Sequence, residues 1–125
     1  MIRKEVSEEI KRQCDSIRVL NNGWYCFVYR RVHFISIPDE EMIRMSIPHV
    51  DDSNKYKREV LDKAINETNR EVKFIKALVL NNGSISLNYD HRIGNDEKVG
   101  EIVAHMILTL FAASGYLKNK LQENI

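Results

Sequence analysis

The sequence lacks an excess of charge of either sign, and it has few cysteines. Its 125 residues carry 19 lysines and arginines against 18 aspartates and glutamates, which gives a net charge of +1. The two signs also alternate locally, as on solvated helix faces, so we expect no nucleic-acid partner and no charged-membrane partner. The two cysteines, Cys14 and Cys26, form no C-x-x-C pair, which excludes a zinc knuckle and a thioredoxin motif.

Long apolar runs and catalytic signatures are also missing. No uninterrupted apolar run reaches the roughly 18 residues of a membrane span, and residues 1–7 lack the apolar core of a signal peptide. We therefore expect a cytoplasmic protein. No histidine has a metal-ligand partner at helical spacing, and there is no G-x-S-x-G, P-loop or G-x-G-x-x-G motif. We predict no enzyme, and no catalytic, cofactor-binding or metal-binding residue.

The sequence does contain helical and strand periods that alternate along a single domain, residues 1–125. Apolar residues recur every three or four positions in three segments, which predicts helices over about residues 3–15, 55–72 and 96–122. Shorter alternating segments predict strands at 17–20, 24–29, 32–37, 42–47, 74–80 and 84–89. We expect an α+β fold, with helices packed on an antiparallel sheet of about five to six strands. The element order is helix, strand meander, helix, hairpin and long helix.

Three short segments predict tight turns between these strands. The tetrapeptide Leu-Asn-Asn-Gly occurs at 20–23 and again at 80–83, and Asn-Gly predicts a type I′ hairpin turn. Arg30-Arg31 predicts a further reversal, and it is the one local basic cluster without an acid beside it. We interpret it as an exposed hairpin turn. The alternatives are a phosphate site and nucleic-acid binding through Arg30 and Arg31.

The last predicted helix is unusual because charge disappears from it between Ile102 and Ala113. One side carries a core stripe formed by Val99, Ile102, Val103, Met106, Ile107, Leu110, Phe111 and Leu121. The other side carries small and uncharged residues, namely Ala104, His105, Leu108, Ala112, Gly115 and Tyr116. This second side is a homodimer interface, a face covered by another part of the chain, or a groove for a partner protein. We favour the homodimer, because association removes an exposed apolar patch from water.

A competing hypothesis places a small-ligand or hydrolytic site at the predicted loop 90–95. His91 lies there between Asp90 and Arg92, and an adjacent carboxylate can orient a histidine as a base. No nucleophile accompanies this pair in the local sequence. The sequence is therefore compatible with two classes of function, a protein-interaction domain and a ligand-binding or hydrolytic site in this loop.

Several packing and capping patterns resemble one family over nearly the whole chain. They are the strand ending in Ile47-Pro48 before an acidic loop, the helix segment 64–69 followed by Val72-Lys73, the turn Asn82-Gly83 with Ile85-Ser86-Leu87, and Phe111 in the closing helix. Asn66 and Asn69 resemble that family's asparagine-rich helix end. The chain is similar in these features to the YbjN-like family, whose fold is similar to the type III secretion chaperones.

This resemblance implies a bacterial α+β domain, often dimeric, without known enzymatic activity. Secretion chaperones of this fold bind an extended stretch of a client protein along their surface. We therefore expect a non-enzymatic protein-interaction domain that binds itself or a partner protein and needs no cofactor.

Overall fold

The elements follow the predicted order in a computed structural model that describes residues 2–14 and 16–123. They are α1 (Ile2–Gln13), β1 (Ser16–Val19), β2 (Tyr25–Tyr29), β3 (Val32–Pro38), β4 (Met42–Asp52), a short 3-10 helix (Ser53–Lys55), α2 (Arg58–Glu71), β5 (Lys76–Val79), β6 (Ser84–Arg92) and α3 (Val99–Glu123). The α+β prediction is confirmed. The predicted end of the first helix at residue 15 lies outside the described residues.

The strands form one sheet in the order β1-β2-β3-β4-β6-β5, and every neighbouring pair is antiparallel. The first four strands are consecutive because each connection is a short turn. After β4 the chain crosses through α2 and enters the sheet again at its far edge as β5. The last strand, β6, then fills the place between β5 and β4.

All three helices cover the same face of this sheet. Strand residues alternate between the two faces, and the cross-strand register places the buried aromatic and aliphatic side chains of successive strands on one side. The helix α3 packs against β4 and β6 in the middle of this face, with α1 on one flank and α2 on the other. The opposite face carries a mixture of half-buried aliphatic and charged side chains, among them Ile35, Ile37, Arg44, Leu78 and Asp90.

Two strands extend three or more residues beyond their predicted ends. The prediction that the fourth strand stops at Pro48 is wrong, because β4 continues to Asp52 through a register shift between Ile47 and Asp51. A bulge leaves ladder groups unpaired, so it accepts a proline that a regular central strand excludes. The strand β6 runs to Arg92, so the predicted loop 90–95 begins with three strand residues.

The type I′ turn occurs at a different place from the one predicted. In both Leu-Asn-Asn-Gly turns only the glycine has positive φ, +85° at Gly23 and +88° at Gly83. Each glycine N–H donates to the preceding leucine carbonyl at 2.9 Å, as in a three-residue loop with a terminal bulge. Positive φ at two successive residues, the type I′ pattern, occurs instead at Arg30 (47°) and Arg31 (70°).

The inner face of α3 forms the centre of the core. Its buried side chains are Val99, Ile102, Val103, Met106, Ile107, Leu110, Ala113, Ser114, Leu117 and Leu121. By length and composition alone, this helix within the described chain is apolar enough to cross a membrane, a test that core helices also pass. Here one whole side of it is packed against the sheet and the flanking helices.

Candidate functional site

The side of α3 that faces away from the sheet remains open. We define the α3 outer face as Ala104, His105, Leu108, Ala112, Gly115 and Tyr116. Leu108 is 53% exposed, and its neighbours Ala112 and Gly115 are exposed too. A Cβ atom built on Gly115 would meet nothing within 4 Å. Ala104 and Tyr116 are half-buried. The centre of this face is therefore not covered by another part of the described chain, which removes one of the three explanations for it.

An exposed aromatic side chain adjoins this face at its N-terminal end. Phe74 follows α2, is 69% exposed, and has a φ of +71°. Its ring stacks on Tyr89, with centroids 5.8 Å apart and an angle of 14° between the planes. The imidazole of His105 meets the Phe74 ring edge-on, with centroids 6.3 Å apart. Positive φ is an outlier for a bulky residue, and such strain concentrates at functional sites. The sequence patterns placed Phe74 at the start of a strand and missed it as a site residue.

Beside Phe74 lies a cleft of about 490 Å³ between the end of α2, β6 and the start of α3. Its lining residues are Phe74, Tyr89, His91, Asp96, Glu97, Lys98, Glu101, Ile102 and His105. The Tyr89 hydroxyl and the His105 Nδ1 atom are hydrogen-bonded at 3.1 Å. The His91 Nε2 atom lies 3.0 Å from the Glu97 Oε1 atom. Both histidines of the cleft therefore already have a polar partner.

Hydrogen bonds and burial set the protonation of two groups in this cleft. The Gly94 N–H donates to Glu97 at 2.6 Å, and this bond, followed by that with His91, lowers the pKa of the Glu97 carboxyl. Burial raises the pKa of Tyr89, and the Glu97 charge raises it further. At neutral pH the cleft thus holds an ionised carboxylate and a neutral phenol.

The predicted loop site is only partly assembled. His91 lines the cleft on the helix-covered side of the sheet, whereas Asp90 lies on the opposite side, because successive strand residues alternate. The expectation that Asp90 orients His91 is wrong, and Glu97 occupies that role. Arg92 turns away and pairs with Glu41 at 3.4 Å. Glu97 lies six residues from His91, a separation that strand and loop patterns do not connect.

The two arginines of the β2–β3 turn have different surroundings. The guanidinium of Arg30 lies over the rings of Tyr29 and Phe111, at 5.4 Å and 5.9 Å from their centroids. Arg31 instead lines a small pocket between the turn, β4 and α3. Both side chains are exposed. Within residues 2–14 and 16–123, no group of three or more histidine, cysteine, aspartate or glutamate side chains could hold a metal ion.

Comparisons with known proteins support the fold. No protein-family model matches the chain, and no curated protein matches it. Among solved structures, the chain is similar to the crystal structure of an uncharacterized protein from Methanothermobacter thermautotrophicus. The TM-score is 0.65 and the identity 13%, over 99% of each chain. At that identity the likeness concerns the fold alone, and membership of the YbjN-like family stays a prediction.

Proposed function

We propose that this protein is a non-enzymatic protein-interaction domain that binds a second copy of itself through the α3 outer face. One observation carries the proposal: α3 leaves a charge-free side open to solvent, with Leu108 at its centre. Contiguous apolar surface of this kind is typical of protein-binding sites.

A second copy of the chain fits this face because the face is self-complementary. A twofold interface uses the same patch on both subunits, so each patch must hold both a protrusion and a hollow. Leu108 is the protrusion, and the small residues Ala104, Ala112 and Gly115 on the neighbouring turns form the hollow. In such a dimer the two α3 helices can approach closely at Ala104, Ala112 and Gly115, because side chains no larger than a methyl group lie between their backbones there.

Sedimentation of Leu108→Glu tests this proposal. We expect the wild-type chain to sediment at about twice its 14.6 kDa mass, and the variant to sediment as a folded monomer. A glutamate at this exposed helical position changes stability by only about 0.5 kcal/mol, so its folding is preserved. Ala112→Arg should have the same effect. Val19→Glu is the matched control, because Val19 is an aliphatic residue 59% exposed on the edge strand β1. A monomeric wild type, or a Leu108→Glu variant that is folded and still dimeric, contradicts the proposal.

The cleft beside Phe74 supports a second candidate function, a small-ligand site. Exposed aromatic faces next to carboxylates attract organic cations, and Phe74 supplies such a face beside Glu97 and Glu101. Phe74→Asn removes the ring while keeping a residue that tolerates positive φ. Titration with benzyltrimethylammonium should shift amide resonances around Tyr89 and His105 in the wild type and not in this variant. Identical shifts in both proteins would exclude the ring as a ligand contact.

A further inference from the structure

A second pocket lies between the β2–β3 turn, the bulged part of β4 and the C-terminal half of α3, and we name it the basic pocket. Its volume is about 240 Å³. Its lining residues are Arg31, Val32, His33, Ile47, Pro48, His49, Val50, Ser114 and Lys118. Every titratable side chain in that lining is basic, although the chain as a whole is balanced in charge. The pocket therefore concentrates positive charge that the composition conceals.

The cations of the basic pocket are not neutralised from within the described chain. Neither Arg31 nor Lys118 forms an ion pair with any residue of 2–14 or 16–123. Asp51, the acid closest in sequence to this wall, accepts a hydrogen bond from Tyr56 and pairs with Lys55 at 3.0 Å. Its charge is thus engaged outside the lining, which leaves the pocket without a carboxylate of its own.

A serine hydroxyl in the same lining has no hydrogen-bond partner among the described residues. Ser114 is only 4% exposed, and no hydrogen bond joins its side chain to another described residue. The comparable buried residue of α2, Thr68, donates to the Ala64 carbonyl at 2.8 Å. The Ser114 hydroxyl opens onto the pocket, so it can donate a hydrogen bond to a ligand atom there. Because the neighbouring charges are positive, that atom is an anionic acceptor.

The turn that carries Arg31 is formed by residues that are poorly suited to it. Type I′ turns need positive φ at both central positions, where asparagine and glycine are preferred. In this chain the two central positions are Arg30 and Arg31, with φ values of 47° and 70°. The first is held against aromatic rings, and the second is at the basic pocket. Arg31 thus lines the pocket from a turn position that costs backbone strain.

We propose that the basic pocket binds the phosphate group of a small phosphorylated molecule. A phosphate monoester carries a charge of about −1.5 to −2 and three acceptor oxygens. The guanidinium of Arg31 can donate two parallel hydrogen bonds to it, Lys118 supplies a point charge, and the Ser114 hydroxyl donates from the floor. The small volume accommodates the phosphate group, and the rest of the ligand lies outside the pocket.

Titration of the full chain with inorganic phosphate, followed by amide resonances, tests the proposal. We expect saturable binding, with the largest shifts around Arg31 and Ser114. In Arg31→Gly and in Lys118→Gln the affinity should fall about tenfold, the effect of losing one charge-assisted contact. Glycine suits the positive φ of position 31, so Arg31→Gly should fold at least as stably as the wild type. Ser114→Ala should weaken binding by a smaller factor.

The matched control is Arg30→Gly, which removes the same charge from the same turn but not from the pocket lining. It should leave phosphate affinity within about twofold of the wild type, a difference below 0.5 kcal/mol. If Arg30→Gly and Arg31→Gly weaken phosphate affinity equally, the effect is non-specific electrostatic attraction, and the proposal is overturned. So would absence of saturation, or preferential binding of a single-stranded oligonucleotide that weakens steeply with salt. Because this pocket does not include Leu108, phosphate binding should persist in Leu108→Glu.

Discussion

The edge strand β5 depends on one side chain of α2, and replacing it gives the most direct test of the fold. Asn69 uses both ends of its amide: its Nδ2 atom donates to the Ala77 carbonyl at 3.0 Å, and its Oδ1 atom accepts from the Ala77 N–H at 2.5 Å. Ala77 is buried and lies at the outer edge of the sheet, where no further strand pairs with it. The Asn69 amide therefore makes the two backbone hydrogen bonds that a further strand would otherwise make with Ala77. Hydrogen bonding of the Ala77 backbone groups protects this edge, because an edge strand with unpaired groups can pair with strands of other chains.

The perturbation is Asn69→Ala. Two hydrogen bonds of about 1 kcal/mol each are lost, and the Ala77 groups are only partly accessible to replacement water. Alanine regains about 0.5 kcal/mol through its better helix propensity. We therefore expect the free energy of unfolding to fall by about 1.5 kcal/mol. Urea denaturation followed by circular dichroism measures this change.

Asn66→Ala is the matched control for this experiment. Asn66 lies on the same helix, is exposed, and makes no side-chain hydrogen bond to another described residue. The propensity gain is common to both variants, so the difference between them isolates the contacts with Ala77. If Asn69→Ala is as stable as Asn66→Ala, the amide does not hold the edge strand and the reasoning fails.

Two further predictions concern one buried and one half-buried hydroxyl group. Ser36→Ala should raise stability by about 1 kcal/mol in the same urea assay, because the Ser36 hydroxyl is buried without a described partner; a loss would reveal an unseen partner. Tyr56→Phe should cost about 1.5 kcal/mol at pH 7, because it removes the hydrogen bond to Asp51. Burial opposes ionisation of Asp51, but hydrogen bonds from Tyr56, the Asp52 N–H and Lys55 outweigh it and lower its pKa. This stabilisation is therefore present above about pH 4 and lost as the pH falls through the folded pKa of Asp51. The stability penalty of Tyr56→Phe should therefore shrink in acid. A penalty that does not change with pH would exclude ionised Asp51 as the partner of the Tyr56 hydroxyl. The same bond raises the pKa of Tyr56 to about 12.

The order of elements and the two sides of α3 were predictable from the sequence because both depend on local periodicity. Apolar spacing alone separated the buried stripe of α3 from the side that carries Leu108. The strand limits were less predictable. Pro48 ends a regular strand but not a bulged one, and the bulge depends on pairing with β6, which lies some forty residues away.

The polar sites were not predictable, because each joins residues that no local sequence pattern connects. His91 lines the cleft because β6 continues into the predicted loop as far as Arg92, and Glu97 reaches it from the segment before α3. Arg31 and Lys118 line one pocket because the β2–β3 turn lies beside α3. Charge counted along the sequence hides such a cluster. The left-handed conformation of Phe74 had no signal at all, since neither glycine nor asparagine marks the position.

The helix α3 connects these features through its geometry. At 100° per residue, Ser114 lies about 180° around the helix from His105, and Leu108 lies about 60° from His105 and 120° from Ser114. The cleft and the basic pocket therefore use opposite sides of one helix, and the dimer surface is closer to the cleft. It follows that self-association through Leu108 should change the affinity of a ligand in the cleft more than the affinity of a phosphate group beside Ser114. Comparing both titrations in Leu108→Glu and the wild type separates the two sites, because only the cleft titration should change.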